Sequence, residues 1–306
     1  MKFGYYSYSA HIQHEVGDTH PEHPMRIIAI NRQMELSGLL ADCYQGGSNQ
    51  IVQEDLLRAH TPGYIEQLSL MSPENGSILA NVDTPMSTGS LDAAYQAASC
   101  VIEALDDIMT DKIDRAFCAV RPPGHHAESN KTMGFCFLNN VAIAAKKAQQ
   151  HYGLKRIAII DFDAHQGNGT INILADDPTF LICSSFQHPC FPFSHWRNIY
   201  NNVFNIALAE KTTGIDMRRL VEKDWLQQLQ DFKPQLTIVS AGFDAHIKDP
   251  TADLEWDAKD YAWLGAFLSD INKENPDNKI LAVLEGGYHL EALAQSAIEF
   301  ISHFKE

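Results

Sequence analysis

Residues 156–169 read RIAIIDFDAHQGNG, and this stretch decides the fold. Residues 156–160 form a short, mostly apolar run with branched side chains and no polar alternation, which predicts a strand buried on both faces. Such strands belong to parallel sheets that helices cover on both sides. The polar residues Asp161, Asp163 and His165 follow where the strand ends. The stretch therefore predicts an α/β protein with chemically active groups at a strand end.

The same alternation of strand and helix extends along the chain. Apolar residues recur at helical spacing in segments that predict helices at residues 26–39, 91–108, 140–151, 217–229 and 257–271. Short apolar runs predict strands at residues 115–120, 156–160, 180–183, 236–240 and 279–284. Clusters of turn-forming residues at 46–49 and 72–76 indicate surface loops rather than domain junctions. We therefore predict a single α/β domain over residues 1–306, an open parallel sheet with helices on both faces.

The composition of the chain excludes several classes of protein. The 306 residues include 23 Lys and Arg against 39 Asp and Glu, for a net charge of −16. This balance argues against a nucleic-acid partner, which needs a basic face, and it suits a cationic one. No apolar run is long enough for a membrane helix, and residues 1–10 lack the character of a signal peptide. The six scattered cysteines include no CxxC pair, so we expect free thiols and a cytoplasmic location.

Polar segments follow four of the predicted strands. They read RPPGHH at 121–126, DFDAHQGNG at 161–169, SAGFD at 240–244 and EGGY at 285–288. Because the carboxyl ends of parallel strands meet at one edge of a sheet, we expect the four segments to converge. Four independent surface loops would give no reason for such repetition. The sequence therefore predicts one functional site built from four strand ends.

Three of these polar residues have the chemistry of a metal site. Asp163 and His165 are two positions apart, so their side chains project to the same side of an extended chain. Either residue alone would more simply be a helix cap or a hydrogen-bonded loop residue. Asp244 from another strand end completes a set of three oxygen and nitrogen ligands. Three protein ligands leave an open coordination position, which is typical of catalytic zinc.

Three further residues suit acid–base chemistry beside such an ion. The adjacent His125 and His126 repel each other's protons, which separates their pKa values and suits one to base and the other to acid catalysis. Tyr288 follows two glycines, which allow the backbone to approach a ligand closely. A phenol there can donate a hydrogen bond to the oxyanion that forms when water attacks a carbonyl. These groups are typical of metal-assisted hydrolysis.

The four segments, in this order, resemble the signature motifs of the zinc-dependent histone deacetylase family, within the arginase/deacetylase fold. The resemblance extends from PEHPMR at residues 21–26 to Tyr288, and it is similar to the bacterial class II-like members. It implies an amidohydrolase that removes acetyl or other acyl groups from N-acetyl-lysine side chains of proteins and peptides. It also implies one Zn²⁺ per chain and a structural K⁺ close to it.

The resemblance assigns roles to individual residues. The implied catalytic residues are His125, His126, Tyr288, Asp161 and Asn168. Among them Asp161 would orient His125, Asn168 would lie behind His126, and Tyr288 would polarise the acyl carbonyl. The implied zinc ligands are Asp163, His165 and Asp244. The implied substrate-binding residues, which form a narrow acyl-lysine channel and its rim, are Asp83, Gly134, Phe135, Phe191 and Gly287. The implied potassium ligands are Asp161, Asp163, His165, Ser184 and Ser185.

Four positions depart from the pattern of many relatives. Gln166 stands where most carry a second histidine, while Phe186 and Phe193 stand where many carry histidine and glycine. Asn168 replaces the aspartate of class I relatives, so His126 should be less readily protonated here. None of these departures removes an expected metal ligand. We therefore expect Phe186 and Phe193 to reshape the rim around residues 187–194, and these two changes with Gln166 to affect substrate choice and not the class of reaction.

Two other classes of protein compete with this prediction. The arginase branch shares the fold but holds two metal ions, and a second ion would need carboxylates where this chain has Gly167 and His246. A non-catalytic zinc-containing acyl-lysine binding module would be expected to have lost Tyr288 or one of the tandem histidines, and all are present. The substrate stays open between acetyl-lysine, an acetylated polyamine and another small N-acyl amide. Fe²⁺ would suit the same ligands as Zn²⁺, and no oligomeric state is predicted.

Overall fold

The computed structural model describes residues 2–47 and 51–305. Its strands are β1 (Phe3–Tyr6), β2 (Tyr44–Gly46), β3 (Ser77–Asn81), β4 (Thr84–Ser87), β5 (Arg115–Cys118), β6 (Ile157–Asp161), β7 (Phe180–Gln187), β8 (Val203–Leu208), β9 (Leu236–Ala241) and β10 (Lys279–Leu284). Its α-helices are α1 (Met25–Leu36), α2 (Gln53–Leu57), α3 (Pro62–Met71), α4 (Ser90–Met109), α5 (Asn140–Gln150), α6 (Asn168–Leu174), α7 (Gly214–Asp224), α8 (Leu226–Phe232), α9 (Ala258–Glu274) and α10 (Leu290–Phe304).

Eight of these strands form one sheet in the order β2-β1-β5-β10-β9-β6-β7-β8. Every neighbouring pair in it is parallel, and in the centre Val239 of β9 lies between Ala282 of β10 and Ile160 of β6. Strands β3 and β4 form a separate antiparallel hairpin. The predicted open parallel sheet is therefore confirmed, and the carboxyl ends of its strands lie along one edge.

Helices cover both faces of the sheet because successive residues of a central strand point into different cores. In β10, Leu281 and Val283 belong to the core that includes residues of α4 and α5. Ile280, Ala282 and Leu284 belong to the core that includes residues of α1, α9 and α10. Both rows of side chains are removed from water, so both must be apolar. This is why the strands show no polar alternation in the sequence.

The predicted elements are present with their ends displaced by a few residues, except for one helix. The helix predicted at 217–229 is wrong, because the chain forms α7 and α8 with a break at Trp225. Met217, Val221 and Leu229 all pack with Trp225 in one core, so the helical spacing of apolar residues continues across the break and conceals it. Strands β1 to β4 and β8 and helices α2, α3, α6 and α10 were not predicted. Of the loop predicted at 46–49, residue 46 ends β2, and residues 48 and 49 lie outside the described residues.

No helix in the part of the chain that the structure describes is both long enough and apolar enough to cross a bilayer. The six cysteines are all free thiols, as expected from their scattered positions.

Candidate active site

The four polar segments follow strands that are neighbours in the sheet. In the order β5-β10-β9-β6, each strand delivers one segment to the same edge. There they surround a cavity of about 220 Å³ whose lining residues are Asp83, His126, Gly134, Phe135, His165, Phe191, Thr251 and Tyr288. The expected convergence of the strand ends is therefore found. Six of these lining residues were predicted as site residues with a direct role in substrate or proton handling, one as a metal ligand, and only Thr251 was not singled out.

The three expected metal ligands lie together at this edge. Asp163, His165 and Asp244 are buried, and one ligand atom from each lies within 4.8 Å of the others. The imidazole Nδ1 of His165 is 3.1 Å from Oδ1 of Asp163 and 3.0 Å from Oδ2 of Asp244. The two carboxylates are further fixed by backbone N–H groups, since Gly286 donates to Asp163 at 2.8 Å and Ala164 donates to Asp244 at 2.8 Å. These backbone hydrogen bonds orient both carboxylates.

This cluster fits a divalent cation in both its chemistry and its charge. Two carboxylates and one imidazole are oxygen and nitrogen donors of the kind that Zn²⁺ takes, and they carry two negative charges when both carboxylates are ionised. Burial and the charge of Asp163 raise the pKa of Asp244 to about 7. Gly286 makes the close approach possible, because a Cβ atom at that position would lie 2.2 Å from Oδ2 of Asp244. A residue with a side chain would therefore not fit at position 286, where the two carboxylates lie close to the backbone.

The tandem histidines have different partners. Nδ1 of His125 lies 3.1 Å from Oδ2 of Asp161, and Nδ1 of His126 lies 2.9 Å from Oδ1 of Asn168. Burial lowers the pKa of His125, but the carboxylates of Asp163 and Asp161 outweigh it and raise that pKa to about 10. Burial and then the positive charge of His125 lower the pKa of His126 well below its ordinary value. The ring centroids are 4.0 Å apart, so the pair shares one proton more readily than two.

Aromatic side chains form the walls of the cavity. The ring of Phe135 meets the ring of Tyr288 edge to face at 6.0 Å between centroids, and Phe191 meets His126 in the same way at 4.9 Å. Gly134 has a φ of +53°, and a Cβ atom there would lie 2.3 Å from Cδ2 of His126. The result is a narrow apolar passage that leads past the polar groups of the tandem histidines and Tyr288.

Two of the expected substrate-binding residues have structural partners of their own. The carboxylate of Asp83 accepts the Gly134 N–H with both oxygens at 3.2 Å, while Asp83 also lines the cavity. Gly287 is not among the lining residues, and its carbonyl accepts a hydrogen bond from Nε of Arg26 at 2.6 Å. Gly287 therefore shapes the turn that carries Tyr288. Burial raises the pKa of Tyr288 well above its ordinary value, so its hydroxyl keeps its proton at neutral pH.

The residues that depart from the family pattern have clear positions. Gln166 is buried, donates to Oδ1 of Asn205 at 2.7 Å and accepts from Oγ of Ser184 at 2.9 Å. Phe186 is buried in β7 and does not line the cavity. The side chain of Phe193 is 71% exposed, and its φ of +59° lies in the region that favours glycine. Phe193 is thus the departure that changes the outer surface.

Three residues that support the site were not singled out from the sequence. Glu285 accepts the N–H groups of Gly124 and His125 at 2.7 and 3.1 Å, which fixes the turn before the tandem histidines. Asp249 accepts the N–H of Tyr288 at 2.6 Å. Glu22 is fully buried against two arginines. Glu285 lies in the EGGY segment and Glu22 in PEHPMR, so motifs contained both, whereas nothing in the sequence marks Asp249.

Comparison with known proteins identifies the class of protein that this fold and site define. The histone deacetylase domain matches residues 20–304, so the chain belongs to the histone deacetylase family. The crystal structure of the HDA15 HD domain superposes with a TM-score of 0.91 at 28% sequence identity, over 99% of this chain and 89% of that one. The protein therefore has the arginase/deacetylase fold.

Two relatives in this family are similar to the chain over most of its length. It is 32% identical to the histone deacetylase-like amidohydrolase of Pseudomonas aeruginosa, over 88% of this chain and 72% of that protein. It is 33% identical to mouse polyamine deacetylase HDAC10, over 90% of this chain and 43% of that protein. Both relatives are named for deacetylase or amidohydrolase activity, and the chain is a hydrolase of their family.

Proposed function

We propose that the protein is a zinc-dependent amidohydrolase that removes acetyl groups from N-acetyl-lysine side chains of proteins and peptides. One observation carries this proposal: a buried Asp-His-Asp ligand set lies beside tandem histidines and a tyrosine around one narrow aromatic cavity. A non-catalytic module needs only the cavity. The tandem histidines with separated pKa values and the tyrosine that keeps its proton are groups that a hydrolase requires.

We assign the metal to Asp163, His165 and Asp244, with Tyr288 as hydrogen-bond donor to the carbonyl oxygen of the substrate. A zinc ion held there would supply Lewis-acid polarisation of the carbonyl and of a water molecule. The Tyr288 hydroxyl donates its proton toward the negative charge that develops on that oxygen. The aromatic walls exclude bulk water, which strengthens this electrostatic contact.

The tandem histidines move the protons of the reaction. Nδ1 of His126 donates to Asn168, which leaves the lone pair of Nε2 free to accept a proton from water as the oxygen bonds to the acyl carbon. His125 is bound to the carboxylate of Asp161, which stabilises its protonated form. The tandem pair then supplies the proton that the amine nitrogen takes as the carbon–nitrogen bond breaks. Acetate and a free amine result, with no covalent enzyme intermediate.

The shape and charge of the cavity favour a lysine-like stem as substrate. The edge-to-face rings of Phe135 and Tyr288 leave a passage suited to methylene groups, and Asp83 at its lining offers carboxylate oxygens to a peptide N–H. The net charge of −16 attracts any cationic substrate and does not separate the candidates. An acetylated polyamine is the second candidate, because a relative at 33% identity is named as a polyamine deacetylase.

We further propose a structural K⁺ at Asp161, Asp163, His165, Ser184 and Ser185. The hydroxyl of Ser185 is buried without a hydrogen-bond partner among the described residues, which a cation beside it would explain. We also propose that the protein acts in the cytoplasm, a location that the six free thiols support.

The test is turnover of an acetyl-lysine peptide beside an N-acetylated polyamine, with zinc-loaded protein and a chelator control. Chelator-sensitive release of acetate from the peptide supports the proposal. Faster release of acetate from the polyamine would make the acetylated polyamine, and not acetyl-lysine, the preferred substrate. Tyr288→Phe should keep its zinc and lose about 10²-fold or more in kcat, the scale for one oxyanion donor. Tyr152→Phe, whose hydroxyl donates to Asp106 instead, is the matched control.

Measuring the zinc content of the variants distinguishes a metal ligand, such as Asp244, from a residue that acts on the substrate, such as Tyr288. Asp244→Ala should lose both zinc and activity, because it removes one of only three protein ligands. Full zinc occupancy in that variant would contradict its assignment as a ligand. If the zinc-loaded wild type hydrolysed neither substrate, the result would instead favour another N-acyl amide as substrate or a non-catalytic binding module.

A further inference from the structure

The side chain of Asn168 connects His126 to a carboxylate. Its Oδ1 lies 2.9 Å from Nδ1 of His126, and its Nδ2 lies 2.9 Å from Oε1 of Glu128. Nδ2 has two longer contacts, 3.3 Å to the carbonyl of His126 and 3.5 Å to Sδ of Met133. Asn168 is fully buried at the first residue of α6, so water does not compete for its amide. The shortest contact of the amide nitrogen is the one to Glu128.

The orientation of this amide decides which ring nitrogen of His126 carries the proton. With Oδ1 facing the ring, Nδ1 must be the donor, and Nε2 keeps its lone pair. If the amide turned over, Nδ2 would donate to Nδ1 and the proton of a neutral ring would move to Nε2. The Glu128 oxygen accepts from Nδ2 at 2.9 Å and therefore favours the first orientation, and the longer contact of Nδ2 to the carbonyl of His126 acts in the same direction.

The backbone around Glu128 is fixed from several sides. Its N–H donates to the carbonyl of Lys131 at 3.0 Å, and its carbonyl lies 3.1 Å from Nδ1 of His60. The next residue, Ser129, donates its N–H to Asn172 of α6 at 3.0 Å. The carboxylate is therefore brought to Asn168 by an anchored segment and not by a free surface chain.

We propose that Glu128 is a positioning residue that holds the Asn168 amide, and through it the Nδ1–H tautomer of His126. This proposal rests on the proposed function for its effect on turnover, but the tautomer itself is a property of the folded chain. Glu128 is neither one of the cavity-lining residues nor one of the expected metal ligands. Its loss therefore removes the base by changing the position of a proton, and leaves the binding surface intact.

The first experiment compares Glu128→Leu with Glu128→Gln. Leucine removes the acceptor, so kcat should fall about 10-fold or more with KM changed by less than about twofold. Glutamine can turn its carbonyl oxygen toward Asn168, so it should recover most of kcat. Glu66→Leu, at an exposed position of α3, controls for an added surface leucine. A kcat for Glu128→Leu equal to that of Glu66→Leu would overturn the proposal.

The second experiment exchanges the acid and the amide. Asn168→Asp alone places two carboxylates about 2.9 Å apart and should be slower than wild type. Combined with Glu128→Gln, the glutamine amide can donate to the new aspartate, which still accepts from Nδ1 of His126. The double variant should therefore be faster than Asn168→Asp. An Asn168→Asp effect that Glu128→Gln does not relieve would contradict the coupling.

The third measurement is independent of turnover. Nitrogen-15 NMR of histidine-labelled, zinc-loaded protein distinguishes protonated from unprotonated ring nitrogens, and a His126→Gln sample assigns the signals. Wild type and Glu128→Gln should show Nδ1 protonated, and Glu128→Leu should show a loss of that tautomer. An unchanged tautomer in Glu128→Leu overturns the proposal even if the wild type hydrolyses neither substrate. If Glu128→Leu loses the tautomer while the wild type hydrolyses neither substrate, the positioning role of Glu128 stands and only the proposed function is contradicted.

Discussion

Replacing Glu22 by alanine should destabilise the protein more than any surface substitution. The Glu22 carboxylate is fully buried between two arginines that are also fully buried. Its Oε2 lies 2.8 Å from Nη2 of Arg121, and its Oε1 lies 3.0 Å from Nη1 of Arg26. Burial opposes the ionisation of Glu22, but the nearby positive charges outweigh it and hold its pKa well below the ordinary value. The alanine variant leaves two guanidinium groups buried without their counter-charge.

The size of the effect follows from this geometry. Removing one partner of a buried ion pair costs about 3–5 kcal/mol, because the remaining charge stays desolvated. The unfolding entropy of a chain of 306 residues is about 0.6 kcal/mol/K at roughly 2 cal/mol/K per residue. Glu22→Ala should therefore lower Tm by about 5–8 °C. It should also lower kcat, because Arg26 donates to the carbonyl of Gly287 in the turn that carries Tyr288.

Thermal unfolding followed by circular dichroism tests this prediction. Glu54→Ala is the matched control, since the Glu54 side chain also pairs with an arginine but is 77% exposed. A surface pair contributes at most about 1 kcal/mol, so the control should lower Tm by less than about 2 °C. If Glu22→Ala lowered Tm no more than Glu54→Ala, the buried carboxylate would not be balancing the two arginines, and the reasoning would be refuted.

Two further predictions concern a buried histidine and a glycine. Burial lowers the pKa of His60 to about 4. As pH falls, the histidine of the unfolded chain is therefore protonated before the buried one, which favours unfolding. The free energy of unfolding should be unaffected by this group above about pH 6.5 and should decline by about 3 kcal/mol as pH falls toward 4. His60→Gln should remove that part of the decline in urea unfolding, and parallel pH curves for the two proteins would contradict it. Gly134→Ala should lose about 1 kcal/mol of stability, and its kcat should fall because the new Cβ atom would displace His126. Gly153→Ala is the control, since Gly153 has a φ of +70° and open space around it, and this variant should lose only stability. Equal kcat values for the two alanine variants would remove Gly134 from the positioning of His126.

The sheet was predictable from the sequence because its central strands are buried on both faces. Ile159 and Ile160 point into different cores, so both must be apolar. The resulting continuous apolar run can be recognised in the sequence without knowledge of the fold. The two outer strands β2 and β8 include exposed positions and lack that pattern, so they were missed. The metal cluster was predictable for a related reason. Asp163 and His165 are local in sequence, and parallel strands need only one further residue, Asp244, at the same edge.

The residues that support the site escaped prediction because their partners are distant in the chain. Glu22 meets Arg121 across 99 positions, Glu285 meets the N–H of Gly124 across 161, and Asp249 meets that of Tyr288 across 39. Each is a carboxylate that accepts a hydrogen bond from an arginine or from a backbone N–H group, and not from a side chain that takes part in the proposed reaction. Two of them lie inside motifs, but no local pattern gives any of the three its role, since a buried acceptor and a surface acid look alike in sequence. The chemistry of the site can therefore be inferred from strand ends, whereas the precision of the tandem histidines and Tyr288 depends on contacts that only the fold reveals.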